Sequence, residues 1–95
     1  MPLVVYLGID GPRGAELRGT ETRERHLAHV QRLVDAGRIR YAGPLLGANG
    51  SPCGSLVLFE DTDLESAGQT ARSDPYVAEG VFERLEVWAS RQVKP

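Results

Sequence analysis

The chain has 95 residues, 41% of them hydrophobic and 25% charged, with a formal net charge of −2. That length sets a single domain over residues 1–95, and the ordinary composition argues against disorder. Seven Arg against five acids in residues 1–47, and four Lys/Arg against eight acids in residues 48–95, leave no concentrated basic stripe, so nucleic acid is not an expected partner. Cys53 is the single cysteine, which excludes a disulfide within the chain and a Cys-rich zinc site. No stretch approaches the roughly 20 apolar residues of a membrane span. Residues 1–10 lack the basic flank of a signal peptide. The expectation is a cytoplasmic protein without a membrane partner.

Residues 2–10, PLVVYLGID, form a dense apolar run rich in Val, Ile and Tyr, which predicts a strand buried on both faces. The next stretch, GPRGAELRG, carries three glycines and a proline and predicts a loop. Helical periodicity then starts around Thr20 to Arg25 and runs to Ala36, with Leu27, Val30, Leu33 and Val34 as its apolar stripe. Gly37 follows in the position that commonly ends a helix. RIRYAGPLLG and CGSLVLFED flank ANGSP, where Asn49-Gly50 is a strong hairpin signal for a type I′ turn. Pro44 cannot donate a ladder hydrogen bond, so its strand is expected at an edge or at a bulge. Thr62 and Glu65 match a capping box before a second helix, Asp63 to about Arg72. Finally, FERLEVWAS alternates Leu85, Val87 and Ala89 against Arg84, Glu86 and Trp88, as a half-buried strand does.

The order β-α-β-β-α-β is that of the ferredoxin-like α+β fold, an antiparallel sheet with both helices on one face. Two helices cover only one face, yet the strands offer apolar residues on both. A second copy of the same sheet is the simplest cover, so a homodimer or higher oligomer is expected.

Three segments carry a family resemblance: RERHLAHVQRLVDAGRIRYAGPL (23–45), GSLVLFE (54–60) and DPYVAEGVFERLEVW (74–88). Together with the loop DGPRGAELR they resemble the YciI-like, YCII-related proteins over nearly the whole chain. The resemblance implies a dimeric α/β-barrel in which two sheets pack face to face. It also implies a pocket with a His–Asp pair, which fall on His26 and Asp74 here. Such a pair points to a cofactor-independent enzyme of lyase or isomerase type acting on a small cyclic or aromatic molecule. A non-catalytic binding module or a dimeric interaction domain are the other two readings. Many members carry Pro before the strand-4 Trp, where this chain has Val87.

The residues also speak for themselves. His26 lies one turn before Val30, inside the stripe, where an imidazole can work as a general acid or base. His29 falls on the flank of the stripe and is expected in solvent. Asp74 precedes Pro75, a common turn initiator and cap, so its contact with His26 is implied by the resemblance alone. Arg23, one turn before His26, can hold an anionic substrate group. Ser55, beside Gly54, and Tyr76 or Tyr41 can line a pocket; no elbow motif surrounds Ser55, so it is not read as a nucleophile. His26 and His29 make an H-x-x-H pair without a third or fourth ligand, so no metal is expected. GIDGPRG lacks the spacing of a dinucleotide-binding turn, so no nucleotide cofactor is expected either.

Overall fold

The computed structural model describes residues 2–95. Its elements are β1 (Leu3–Asp10), α1 (Gly14–Leu17), α2 (Thr20–Asp35), β2 (Ile39–Leu46), β3 (Pro52–Glu60), α3 (Leu64–Arg72), α4 (Pro75–Ala78) and β4 (Phe82–Ser90). The four strands form one antiparallel sheet in the order β2-β3-β1-β4, which is the ferredoxin-like arrangement. Pro44 sits on β2, an edge strand whose register shifts near both ends. No helix among the described residues is long and apolar enough to cross a membrane.

Residues directly opposite one another in the sheet share a face. Val4, Tyr6, Val57 and Phe59 lie on the helix-covered face and are fully buried with Leu33 of α2 and Ala67 and Ala71 of α3. The small side chains of Ala67, Gly68 and Ala71 let α3 approach the sheet closely. Leu3, Val5, Leu7 and Ile9 point to the other face, where they are only half-buried. The strand expected to be buried on both sides is therefore covered on one side within this chain. A second small core, Tyr76, Val81 and Phe82, with Leu17 and Val77 against it, joins α1, α4 and the start of β4.

Four local expectations are corrected by the structure. The glycine-rich stretch after β1 is not all loop, because α1 forms within it and packs Leu17 against the second core. On α2 the inward face is His26, His29, Val30 and Leu33, spaced i, i+3, i+4 and i+7, while Leu27 and Val34 are 44% and 43% exposed. His29 is thus buried instead of solvated, since it falls on the true centre of the helical face. The α3 cap is Asp63, whose carboxylate accepts from the Ser66 N–H at 2.8 Å. It displaces the expected Thr62 pairing because Asp63 directly precedes the first helical residue. The hairpin loop spans residues 47–51, closed by Gly47 N–H to Ser51 O at 2.9 Å; only Gly50 takes a positive φ, +79°, so the turn is not type I′. Asn49 instead uses its side-chain oxygen to accept from the Ser51 N–H at 3.0 Å.

Gly8 is the tightest place in the sheet. A Cβ there would overlap the Phe82 ring, which lies across β1 and anchors the second core. Gly8→Ala is expected to lower the unfolding free energy by about 1–3 kcal/mol through overpacking. Urea denaturation checks this; a variant as stable as the parent would show that Phe82 moves aside freely.

Candidate active site

The site begins with a short helix. Asp74 caps α4, accepting the Tyr76 N–H on Oδ1 at 2.9 Å, and Pro75 occupies the first turn where its missing N–H costs nothing. This local cap turns the Asp74 side chain inward, where it is fully buried. The packing of α4 beside α2 then brings His26 to it: Nδ1 lies 2.8 Å from Oδ1 and 2.9 Å from Oδ2. From beneath, in the middle of β1, the Tyr6 hydroxyl donates to Oδ2 at 2.6 Å. Outside, Arg25 and Thr22 of α2 bind Glu79 just past α4 and tie the two helices together.

A buried carboxylate is costly unless its oxygens are satisfied, and these donors satisfy it. Burial alone would raise the Asp74 pKa, but hydrogen bonds and charge from His26, with Tyr6 and the Tyr76 N–H, hold it below the usual carboxylate value. Burial, reinforced by the Asp74 charge and hydrogen bond, pushes the Tyr6 phenol far up, so Tyr6 stays a donor. An ionised Asp74 only accepts, which assigns the proton between the pair to His26 Nδ1. Nε2 is then the ring nitrogen that Asp74 does not engage, and His26 lines the adjoining cavity.

The His26 ring stacks on Tyr76, with centroids 4.0 Å apart and planes 6° from parallel. Arg18, after α1, also lies over Tyr76 at 4.8 Å, and Asp10 grips its guanidinium with bonds of 2.6 and 2.9 Å. The same guanidinium donates to Gly54 O at 2.8 Å and Ser55 Oγ at 3.2 Å. Ser55 accepts there, so its own hydroxyl proton is free for another acceptor. These groups border a cavity of about 290 Å³ with an apolar wall of Leu27, Val30, Ala42, Pro44 and Val57. The volume suits a small organic molecule.

Of the residues singled out in the sequence, Arg23, His26, Ser55 and Tyr76 line this cavity and Asp74 stands directly behind His26. Tyr41 does not line it and is 54% exposed. Burial pushes the His29 imidazole below its ordinary value, Arg32 and His26 add to this, and Asp74 opposes it. His29 Nε2 finds no hydrogen-bond partner among the described residues, and no three His, Cys, Asp or Glu side chains among them gather as a metal set. Tyr6, Arg18 and Asp10 were missed from the sequence. A tyrosine at the centre of an apolar strand was the available signal, because its buried hydroxyl needs a partner.

The model of the YCII-related domain matches residues 3–91 of this chain. The chain belongs to the YCII-related family. Protein YciI of Escherichia coli O6:H1 is 39% identical over 77 residues, covering 75% of this chain and 79% of that one, and Protein YciI of Shigella flexneri matches to the same extent. Among solved structures, 5-chloro-2-hydroxyhydroquinone dehydrochlorinase (TftG) from Burkholderia phenoliruptrix AC1100, in complex with 2,5-dihydroxybenzoquinone, superposes with a TM-score of 0.82. It is 23% identical and covers 94% of this chain and 93% of its own. A conserved protein from Methanosarcina mazei Go1 gives a TM-score of 0.54 at 18% identity, covering 95% and 90%. These likenesses place this YCII-related chain in the ferredoxin-like α+β fold that its strand order shows.

The folded pKa of Asp74 lies below its unfolded value. Its stabilising contribution is therefore complete above the unfolded value of about 4, and is lost as pH falls through the folded one. Asp74→Asn is expected to be less stable than the parent by about 1–3 kcal/mol at neutral pH. The difference should narrow below about pH 4. Urea titrations at about pH 7 and about pH 3 test it; a gap that widens on acidification contradicts an ionised, hydrogen-bonded Asp74.

Proposed function

We propose that this YCII-related protein is a cofactor-independent enzyme of lyase or isomerase type, acting on a small cyclic or aromatic molecule. His26 is its acid–base group, and Asp74 is the positioning residue that orients the ring and fixes its tautomer. The observation that carries the reading is the fully buried Asp74 carboxylate, which holds His26 Nδ1 and leaves Nε2 unengaged by it on a residue that lines the cavity. Tyr6 supports it by holding Oδ2. Tyr76, stacked against the imidazole, holds the ring in a fixed plane at the edge of the cavity. Arg23 and Ser55 are the polar groups that would engage a substrate oxygen.

The structural likeness to TftG favours elimination within this class. In a dehydrochlorination the base removes a proton, the C–Cl pair leaves as chloride, and HCl is lost overall. No oxidant, reductant or cofactor enters that balance. The direct test is chloride release from 5-chloro-2-hydroxyhydroquinone, together with double-bond migration in small cyclic enones followed by absorbance. His26→Gln should lower turnover by about 10²–10⁴-fold, the range of general acid–base catalysis, without unfolding the protein. Tight binding of such molecules with no His26-dependent turnover would instead make the chain a binding module.

We also propose that the working form is a homodimer joined through the helix-free face of the sheet. Val5, Leu58, Tyr41 and Trp88 stand side by side across that face by register, and Tyr41 and Trp88 are 54% and 58% exposed. Leu7 and Leu56 extend the patch along the strands. An apolar patch of this kind, with no helix over it among the described residues, is met most simply by its own copy. Sedimentation at micromolar concentration is expected to give twice the 10.3 kDa monomer mass, and Trp88→Glu should shift the species toward monomer. A parent protein that sediments as a monomer overturns the dimer.

A further inference from the structure

The cavity beside His26 is not the end of the binding surface. A second lobe of about 360 Å³, open to solvent, adjoins it and is lined by Ala15, Arg18, Arg23, Ser51, Pro52 and Tyr76. Arg18, Arg23, Pro52 and Tyr76 line both lobes, so the two meet across these side chains. The inner lobe is walled mainly by aliphatic groups, while the outer one brings Ser51 beside the guanidinium groups of Arg18 and Arg23. Neither lobe is lined by an Asp or Glu.

The arginines around this junction are not equivalent. Arg13 is spent on Glu16, Arg18 on Asp10 and Arg25 on Glu79. Arg23 has no ion-pair or hydrogen-bond partner for its side chain among the described residues, although it stands between the two lobes. A guanidinium left unpaired beside a cavity without carboxylates attracts an anion, and its planar fork matches one carboxylate. Tyr76 can add a donor. Burial pushes its phenol up against the opposing pull of Arg18 and Arg23, so it keeps its proton.

We propose that the ligand is a two-part organic acid: an apolar ring in the inner lobe beside His26 and its aliphatic wall, and a carboxylate on a short flexible arm held by Arg23 in the outer lobe. The proposal rests on the reading of the His26 cavity as the working site and adds the class of molecule that fills it. Arg23 is then the residue that selects for acids. It takes no part in proton transfer. Its cost is small, because the guanidinium is already at a solvent-open mouth and need not be fully desolvated to bind.

Titration of the full chain, followed by amide chemical shifts, with 3-phenylpropionate, 3-phenylpropan-1-ol and benzoate tests this. The acid with the arm is expected to bind about tenfold tighter than the alcohol of the same shape, the ratio that one charge-assisted hydrogen bond supplies. It should also bind more tightly than benzoate, whose charge cannot leave the inner lobe. Arg23→Gln should abolish the preference for acid over alcohol, and Arg23→Lys should retain part of it. Equal affinity for acid and alcohol overturns the proposal, as does a preference that survives Arg23→Gln, benzoate binding as tightly as the longer acid, or no binding of the acid at millimolar concentration. His26→Gln separates the two readings, because it should leave the acid preference intact. Loss of the preference with His26-dependent turnover present sinks the carboxylate arm alone. The preference without such turnover sinks the catalytic reading alone.

Discussion

The buried carboxylate of Asp74 is the constraint around which the helix-covered side of this protein is organised. An ionised group with no exposure to water must have its lone pairs filled, and removing a partner from such a group typically costs several kcal/mol. The donors come from three places far apart in the chain: Tyr6 on β1, His26 on α2 and the Tyr76 N–H on α4. Each must be delivered with hydrogen-bond accuracy. The need ties the centre of the sheet to α2 and α4, and it fixes the imidazole in one tautomer as a consequence.

The second organising fact is the unequal treatment of the sheet's faces. On the covered side, Val4, Tyr6, Val57 and Phe59 meet Leu33, Ala67 and Ala71 in a dry core. On the other side, Val5, Leu58 and Trp88 face outward beside Tyr41. The site lies wholly on the covered side, built on rigid strands and on the first half of α2. Its polar groups are pre-set by their own partners: Asp74 aims His26, Asp10 aims Arg18, and Arg18 turns Ser55 into an acceptor so that its proton points elsewhere. Arg23 is the exception, a charge at the mouth without an ion-pair or hydrogen-bond partner among the described residues.

Much of the fold was legible in the residues, because periodicity and turn chemistry are local. Alternation in FERLEVWAS, the long helical run ending at Gly37, and Pro44 on an edge strand all stand in the structure where the sequence puts them. The errors were local too. Apolar spacing places the helical stripe a step off, through Leu27 and Val34, because two apolar residues near the edge of a face outweigh the polar His29 at its centre. The Asn49-Gly50 pair suggested a two-residue turn, but the loop is longer and Asn49 serves it through its side chain. Apolar character is not the same as burial. A polar residue at the right helical angle goes inside regardless.

The site divides along the same line. Helix periodicity by itself turned His26 toward the interior, and the Asp-Pro dipeptide by itself made Asp74 the cap of a short helix, since both depend on neighbours within one turn of chain. That residues 48 positions apart close to a 2.8 Å contact depends on α4 packing against α2, which no local rule contains. Tyr6 entered the site for the same reason: its strand and its burial follow from sequence, but its partner, 68 positions away, follows only from the sheet lying beneath both helices. Sequence determines what each segment wants to bury and where it must stop. Tertiary structure decides which buried polar groups meet, because hydrogen bonds are short-ranged and directional, and only the packed chain brings donors and acceptors within reach.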